Sequence, residues 1–170
     1  MKKFLVLGVV TSMLMATTAL AANELTSGNN SQEITVNYTV GQSYTIIIPS
    51  DLNLVTEDSA PAQLVAAKNV RLNSDENLTV TMTSANYDNT DGYRVSFEGD
   101  SHIKYEVKKG TTENAVNDLI SDNNVELLNL TSGTTEDSVY LKFYTTENYI
   151  KEAVKAGKHT DVLTFACEVE

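Results

Sequence analysis

The chain has 170 residues, with 12 basic against 23 acidic, two histidines, one cysteine and no tryptophan. A net charge of −11 excludes nucleic acid and anionic membrane surfaces as partners, because both demand a basic patch. A single cysteine excludes an internal disulfide, so the core alone must hold the fold.

Residues 1–22 have the order of a secretory signal peptide: Lys2 and Lys3, an apolar run from Phe4 to Met15, then the small-residue site Ala19-Leu20-Ala21. That run is shorter than the roughly 18–20 apolar residues of a membrane span, and none that long follows. Removing Lys2 and Lys3 takes the net charge from −11 to −13. The polar residues 23–32, NELTSGNNSQ, read as a flexible lead-in. Residues 33–170 are long enough for one domain with a real core.

From there the pattern has period two, the mark of β-strands. Ile34, Val36 and Tyr38 alternate with Thr35, Asn37 and Thr39, and Gly41-Gln42 reads as a turn. The continuous run Tyr44 to Ile48, ended by Pro49, reads as a strand buried on both faces or passing between sheets. An irregular connection over 51–61 leads to a strand over 63–72. Leu78, Val80 and Met82 then face inward against Thr79, Thr81 and Thr83. The loop SANYDNTDG precedes the clearest hairpin, with Tyr93, Val95 and Phe97 paired through Gly99-Asp100-Ser101 to Ile103, Tyr105 and Val107.

Two segments change period. Residues 112–121 place Val116, Leu119 and Ile120 on one helical face. Residues 147–156 place Ile150 and Val154 together, with Gly157 as the stop. Each predicts a short helical turn capping a β-structure. Strands over 125–130 and 137–145 follow. In the final strand Leu163, Phe165, Cys167 and Val169 share a face opposite Thr164, Glu168 and Glu170. That register makes Cys167 a buried small hydrophobe. Its neighbour is expected to be the strand of Phe143 or an early strand. The expected fold class is therefore all-β, an antiparallel β-sandwich of about eight or nine strands with one or two short helical turns.

The early stretch YTIIIPSDLNL (Tyr44 to Leu54) with the terminal AGKHTDVLTFACEVE (Ala156 to Glu170) resembles immunoglobulin-like sandwich domains of WxL-type Gram-positive surface proteins. The layout is also similar to spore-coat-U and pilin-like sandwiches. The tryptophan of the WxL signature is missing, and His159 stands where an aromatic is usual. The resemblance implies an immunoglobulin-like, non-catalytic structural domain, secreted or on the bacterial surface.

The residues carry little chemistry. His102 alternates with lysines on an outward strand face, and His159 lies beside Asp161. A Ser-His-Asp triad is set by space rather than sequence, but no G-x-S-x-G elbow marks a serine. No catalytic residue and no cofactor is assigned, and His102, His159 and Cys167 lack zinc spacing. The loop from Asn86 to Gly92 is the one oxygen-rich candidate, with Asp88 and Asp91 as weak calcium ligands; its spacing is not that of an EF-hand, and turns use the same residues. Tyr87 beside Asp88 is the one loop pairing suited to a glycan. The expected function is a non-catalytic structural or interaction domain, meeting an extracellular or cell-surface protein or glycan, and monomeric or self-assembling through a sheet edge. The segment Ile34–Tyr38 could supply the strand for such assembly. The alternative is a glycan- or calcium-linked binding module.

Overall fold

The fold is that of a computed structural model, which describes residues 35–98, 101–151, 153 and 155–170. The leader 1–22, the lead-in 23–32, Ile34 of the first expected strand, the turn residues Gly99-Asp100 and Val154 of the second helical turn lie outside the described residues.

The protein is an all-β sandwich. Its strands are β1 (Ser43–Ile47), β2 (Val55–Thr56), β3 (Ala62–Arg71), β4 (Asn77–Ser84), β5 (Arg94–Phe97), β6 (Ser101–Lys104), β7 (Glu106–Gly110), β8 (Asp118–Ile120), β9 (Val125–Thr131), β10 (Asp137–Thr145) and β11 (Leu163–Val169). The larger sheet has the order β1-β3-β10-β7-β8, with β2 alongside β10; the smaller has the order β11-β4-β9; β5 and β6 form a hairpin. All pairings are antiparallel except that of β2 with β10. The eleven described strands exceed the eight or nine expected, because β2 and β8 are too short to read from period alone and the strand expected over 102–108 is two, while residues 35–40 form none.

Two inner faces make the core. β4 contributes Leu78, Val80 and Met82, all fully buried, against Val65 and Ala67 of β3, Val107 of β7, and Val139, Leu141 and Phe143 of β10. These are the alternating residues of their strands, so period two placed them correctly. β9 departs from it. Leu127 and Leu128 are both buried, because a bulge opposite Val80 and Thr81 lets two residues of β9 face one of β4.

Four expectations are corrected. Residues 112–121 form no helix: a tight turn bridging Thr112 to Ala115 leads into β8. Asn114, Asn117 and Asp118 are poor helix formers, and the turn buries Val116 while β8 buries Ile120, leaving Leu119 exposed. Residues 147–156 do contain a helix, α1 (Glu147–Lys151). The strand expected over 102–108 divides at Tyr105: its first half pairs with β5, and its second joins β10 in the larger sheet. β1 is an edge strand rather than one buried on both faces, and Tyr44 and Ile48 are exposed. Lastly, of the two neighbours expected for the final strand, the strand of Phe143 is not its partner: β11 pairs with the earlier strand β4 in unbroken register from Leu163↔Ser84 to Val169↔Leu78.

Candidate functional site

The oxygen-rich loop is a turn held by its own carboxylate. Asp88 Oδ1 accepts the backbone N–H groups of Thr90 (2.8 Å) and Asp91 (3.0 Å), while Oδ2 meets Arg94 at 3.3 Å. Asp91 is paired with Lys104 at 2.6 Å, and His102 lies 3.9 Å from it. Asp88 and Asp91 are thus brought into one loop, but each is turned toward a cation of the β5–β6 hairpin. Among the described residues, no three histidine, cysteine or carboxylate side chains gather as a metal centre requires.

The two backbone N–H bonds, then Arg94, hold the Asp88 carboxyl below its ordinary range. A depressed folded value contributes stability above the unfolded pKa, lost as pH falls through the folded one. Lowering the pH through and below the ordinary carboxylate range of about 4 will therefore shift the Thr90 and Asp91 amide resonances together. Amide shifts that stay constant throughout that titration would contradict this cap.

Tyr87 serves the core. Its ring packs edge-on against Tyr93 at 5.1 Å and 79°, and its hydroxyl donates to the Ser121 carbonyl. Tyr93 is buried and donates to the Asp122 carbonyl at 2.6 Å. The pair ties the loop to the segment between β8 and β9.

His159 is bonded to a serine, but not in the arrangement of a triad. Its Nε2 lies 2.9 Å from Ser101 Oγ and its Nδ1 lies 3.1 Å from the Gly157 carbonyl. A carbonyl can only accept, so Nδ1 carries a proton, and in the neutral ring Nε2 then accepts from the serine hydroxyl. Ser101 Oγ in turn accepts the Lys155 N–H at 3.1 Å, and Ser101 has no exposed surface. A nucleophile must meet its substrate; this serine instead clasps the segment after α1 to β6. Gly157 belongs to the same clasp, for a Cβ there would come within 2.5 Å of the Phe97 ring.

The sequence shows Asp161 only as a neighbour of His159, and the structure gives it a different place. Its Oδ2 accepts the hydroxyls of Tyr105 (2.6 Å) and Ser84 (2.7 Å), and its Oδ1 accepts the N–H groups of Val162 (2.7 Å) and Asn86 (3.2 Å). One carboxylate thus joins the end of β4, the β6–β7 junction and the start of β11. Burial, then the bond to Asp161, drives the Tyr105 phenol far above its ordinary range. The position of Asp161 just before an alternating strand was the available signal.

The remaining feature is a lack of cover. Residues 35–40, TVNYTV, alternate as a strand does, yet are in no strand. Val36, Tyr38 and Val40 are 87%, 80% and 55% exposed. On β11 the inward residues Leu163, Phe165, Cys167 and Val169 pack against the core but are only half-buried, whereas Leu78, Val80 and Met82 beside them on β4 are fully buried. Tyr44 of β1 lies against Cys167, and that thiol, with partial burial, raises the Tyr44 phenol. The inward face of β11 is therefore less covered than that of β4. The buried reading of Cys167 is corrected to half-buried.

Burial chiefly raises the Cys167 thiol, and Glu168 adds to this. Less thiolate is present near neutral pH, so Cys167 will alkylate more slowly than a small free thiol at pH 8 and catch up at higher pH. A folded chain reacting as fast as the free thiol would contradict this placement. No protein-family model matches this chain, and no curated protein matches it.

Proposed function

We propose that this is a non-catalytic, secreted or surface-associated bacterial domain whose work is structural: it engages another extracellular macromolecule through its N-terminal arm, residues 35–40. The carrying observation is the uncovered alternation of Val36, Tyr38 and Val40. An extended segment with free backbone groups and one apolar face binds by adding to a sheet edge, where main-chain bonds supply affinity and alternate side chains supply specificity. Export by residues 1–22 and a place outside a Gram-positive cell belong to the same reading, as does the likeness to immunoglobulin-like surface domains.

The test is light scattering after size exclusion, in reductant, on residues 23–170 and on the same chain carrying Val36→Asp and Tyr38→Asp. Both positions are exposed, so the fold is expected to remain, as circular dichroism will report. The parent will show multiples of the monomer mass and the variant only the monomer. A parent that stays monomeric at every concentration, alone and with cell-surface extract, would contradict the reading.

A further inference from the structure

The far end of β3 lines a cleft that strand pairing by the arm does not use. The pairing of β1 with β3 slips by one residue there: Thr45 lies opposite Lys68 but Ser43 lies opposite Arg71, and Asn69 takes φ 54° at the bulge. One extra residue sends every later side chain to the other face. Val70 is thereby turned into the core and Arg71 out to solvent, where regular alternation from Val65 and Ala67 would have buried the arginine instead. Arg71 then lines two clefts of about 370 Å³ each, which share Val70, Arg71 and Thr135. Each is as large as the smaller ligand sites, which run from about 300 to 1,000 Å³.

The cation in these clefts is uncommitted. The chain's other arginine, Arg94, is paired with Asp88, but Arg71 makes no ion pair and no side-chain hydrogen bond among the described residues. Glu76, beside the first cleft, is taken by other donors: it accepts from Gln42, from the Asn73 N–H at 3.0 Å and from the Asn73 amide at 2.9 Å. The side chains of Asn69, Ser132 and Thr135 add an amide and two hydroxyls to the walls, also without partners among the described residues. Val40 and Leu72 add apolar surface.

We infer that this cleft is a further binding site, and that its ligand is an acidic sugar of an extracellular glycan with its carboxylate on Arg71. A guanidinium holds a carboxylate through two parallel N–H bonds. A sugar acid brings one carboxylate, hydroxyls that both donate and accept, and apolar C–H faces. The walls offer one cation, hydroxyls and amides, and two aliphatic side chains. Charge selects against denser anions: the chain carries −11, and the walls hold no second cation. A glycan with spaced carboxylates presents one at a time, whereas a run of acidic residues in a peptide presents several.

The probe is the tetrasaccharide of alternating glucuronic acid and N-acetylglucosamine, titrated into isotope-labelled residues 23–170 and followed by NMR. The neutral tetramer of N-acetylglucosamine and a blocked Gly-Glu-Gly peptide are the comparison ligands. The expected result is saturable shifts of the Arg71 Nε–H and of the Gly41, Asn73 and Gly133 amides at millimolar acidic tetrasaccharide, with both comparison ligands about tenfold weaker or more. Arg71→Gln will weaken binding about tenfold or more, as loss of a charge-assisted pair requires. Arg71→Lys will recover only part of this, because an ammonium lacks the planar fork. Arg71 is exposed, so both variants are expected to keep the parent's spectrum away from the cleft. Equal or tighter binding of the peptide would overturn the glycan in favour of a protein carboxylate. Equal binding of the neutral tetramer, or unchanged affinity in Arg71→Gln, would overturn the pairing with Arg71. No saturable shift at millimolar tetrasaccharide would overturn the site itself. The readout is ligand binding and not association between chains, so this site and the strand-pairing reading fail separately.

Discussion

Replacing Asp161 by alanine will lower the unfolding free energy by about 3–4 kcal/mol, the loss expected when several hydrogen bonds to one charged group vanish non-additively. Tyr105 and Ser84 are buried, so their hydroxyls find no water when the carboxylate is gone. The backbone N–H groups of Asn86 and Val162 lose their acceptor as well. Against a total of roughly 5–15 kcal/mol for a domain, this is a large share. Asp161→Asn will cost about half as much, because one oxygen stays and both hydroxyls can turn to accept from the amide. Urea unfolding of residues 23–170 measures both, and equal midpoints for the parent and Asp161→Ala would refute the central role given to this carboxylate.

Gly110→Ala will cost about 3 kcal/mol, the upper part of the usual range for overpacking. Gly110 ends β7 beneath the turn that bridges Thr112 to Ala115. A Cβ there would lie 1.9 Å from the Ala115 carbonyl oxygen and 2.8 Å from the Val116 Cα. Both obstacles are backbone, so no side chain can swing away and the turn itself must lift. Lifting it uncovers Val116 and disturbs β8, which among the described residues pairs only with β7. Gly133→Ala provides the contrast: a Cβ meets nothing there, and the cost comes from φ +94 alone. The expected order of thermal midpoints is parent, Gly133→Ala, Gly110→Ala. A Gly110→Ala chain as stable as the parent would show that the turn is not seated as described.

What was legible in the sequence is what period two encodes. Leu78, Val80 and Met82, and likewise Val139, Leu141 and Phe143, have the same face in the sequence and in the core. Pairing was not legible. Nothing local tells β11 to choose β4, since that choice depends on a partner some 80 residues away in the chain. Neither was the break at Tyr105, where alternation continues while the chain passes from hairpin to sheet. The spacing of Val116 and Ile120 suits a helical turn as well as it suits a tight turn followed by a strand, and tertiary packing settled it.

The candidate site was legible only in part. Ile34, Val36 and Tyr38 announce a strand, and the structure leaves residues 35–40 without a partner. Asp88 and Asp91 stand together in the sequence, yet their partners Arg94, Lys104 and His102 lie across a loop that sequence spacing does not fold. The role of Asp161 is not legible in the sequence, because its four donors come from three separate parts of the chain.

The account turns on residues 35–40 pairing with a sheet edge. Hydrogen exchange followed by mass spectrometry, on residues 23–170 at rising protein concentration, tests it most directly, because strand pairing protects main-chain amides whatever the side chains do. The account predicts that peptides covering 35–40 gain protection as concentration rises, while those of β4 and β10 do not change. Arm amides that exchange at the unprotected rate at every concentration would contradict it.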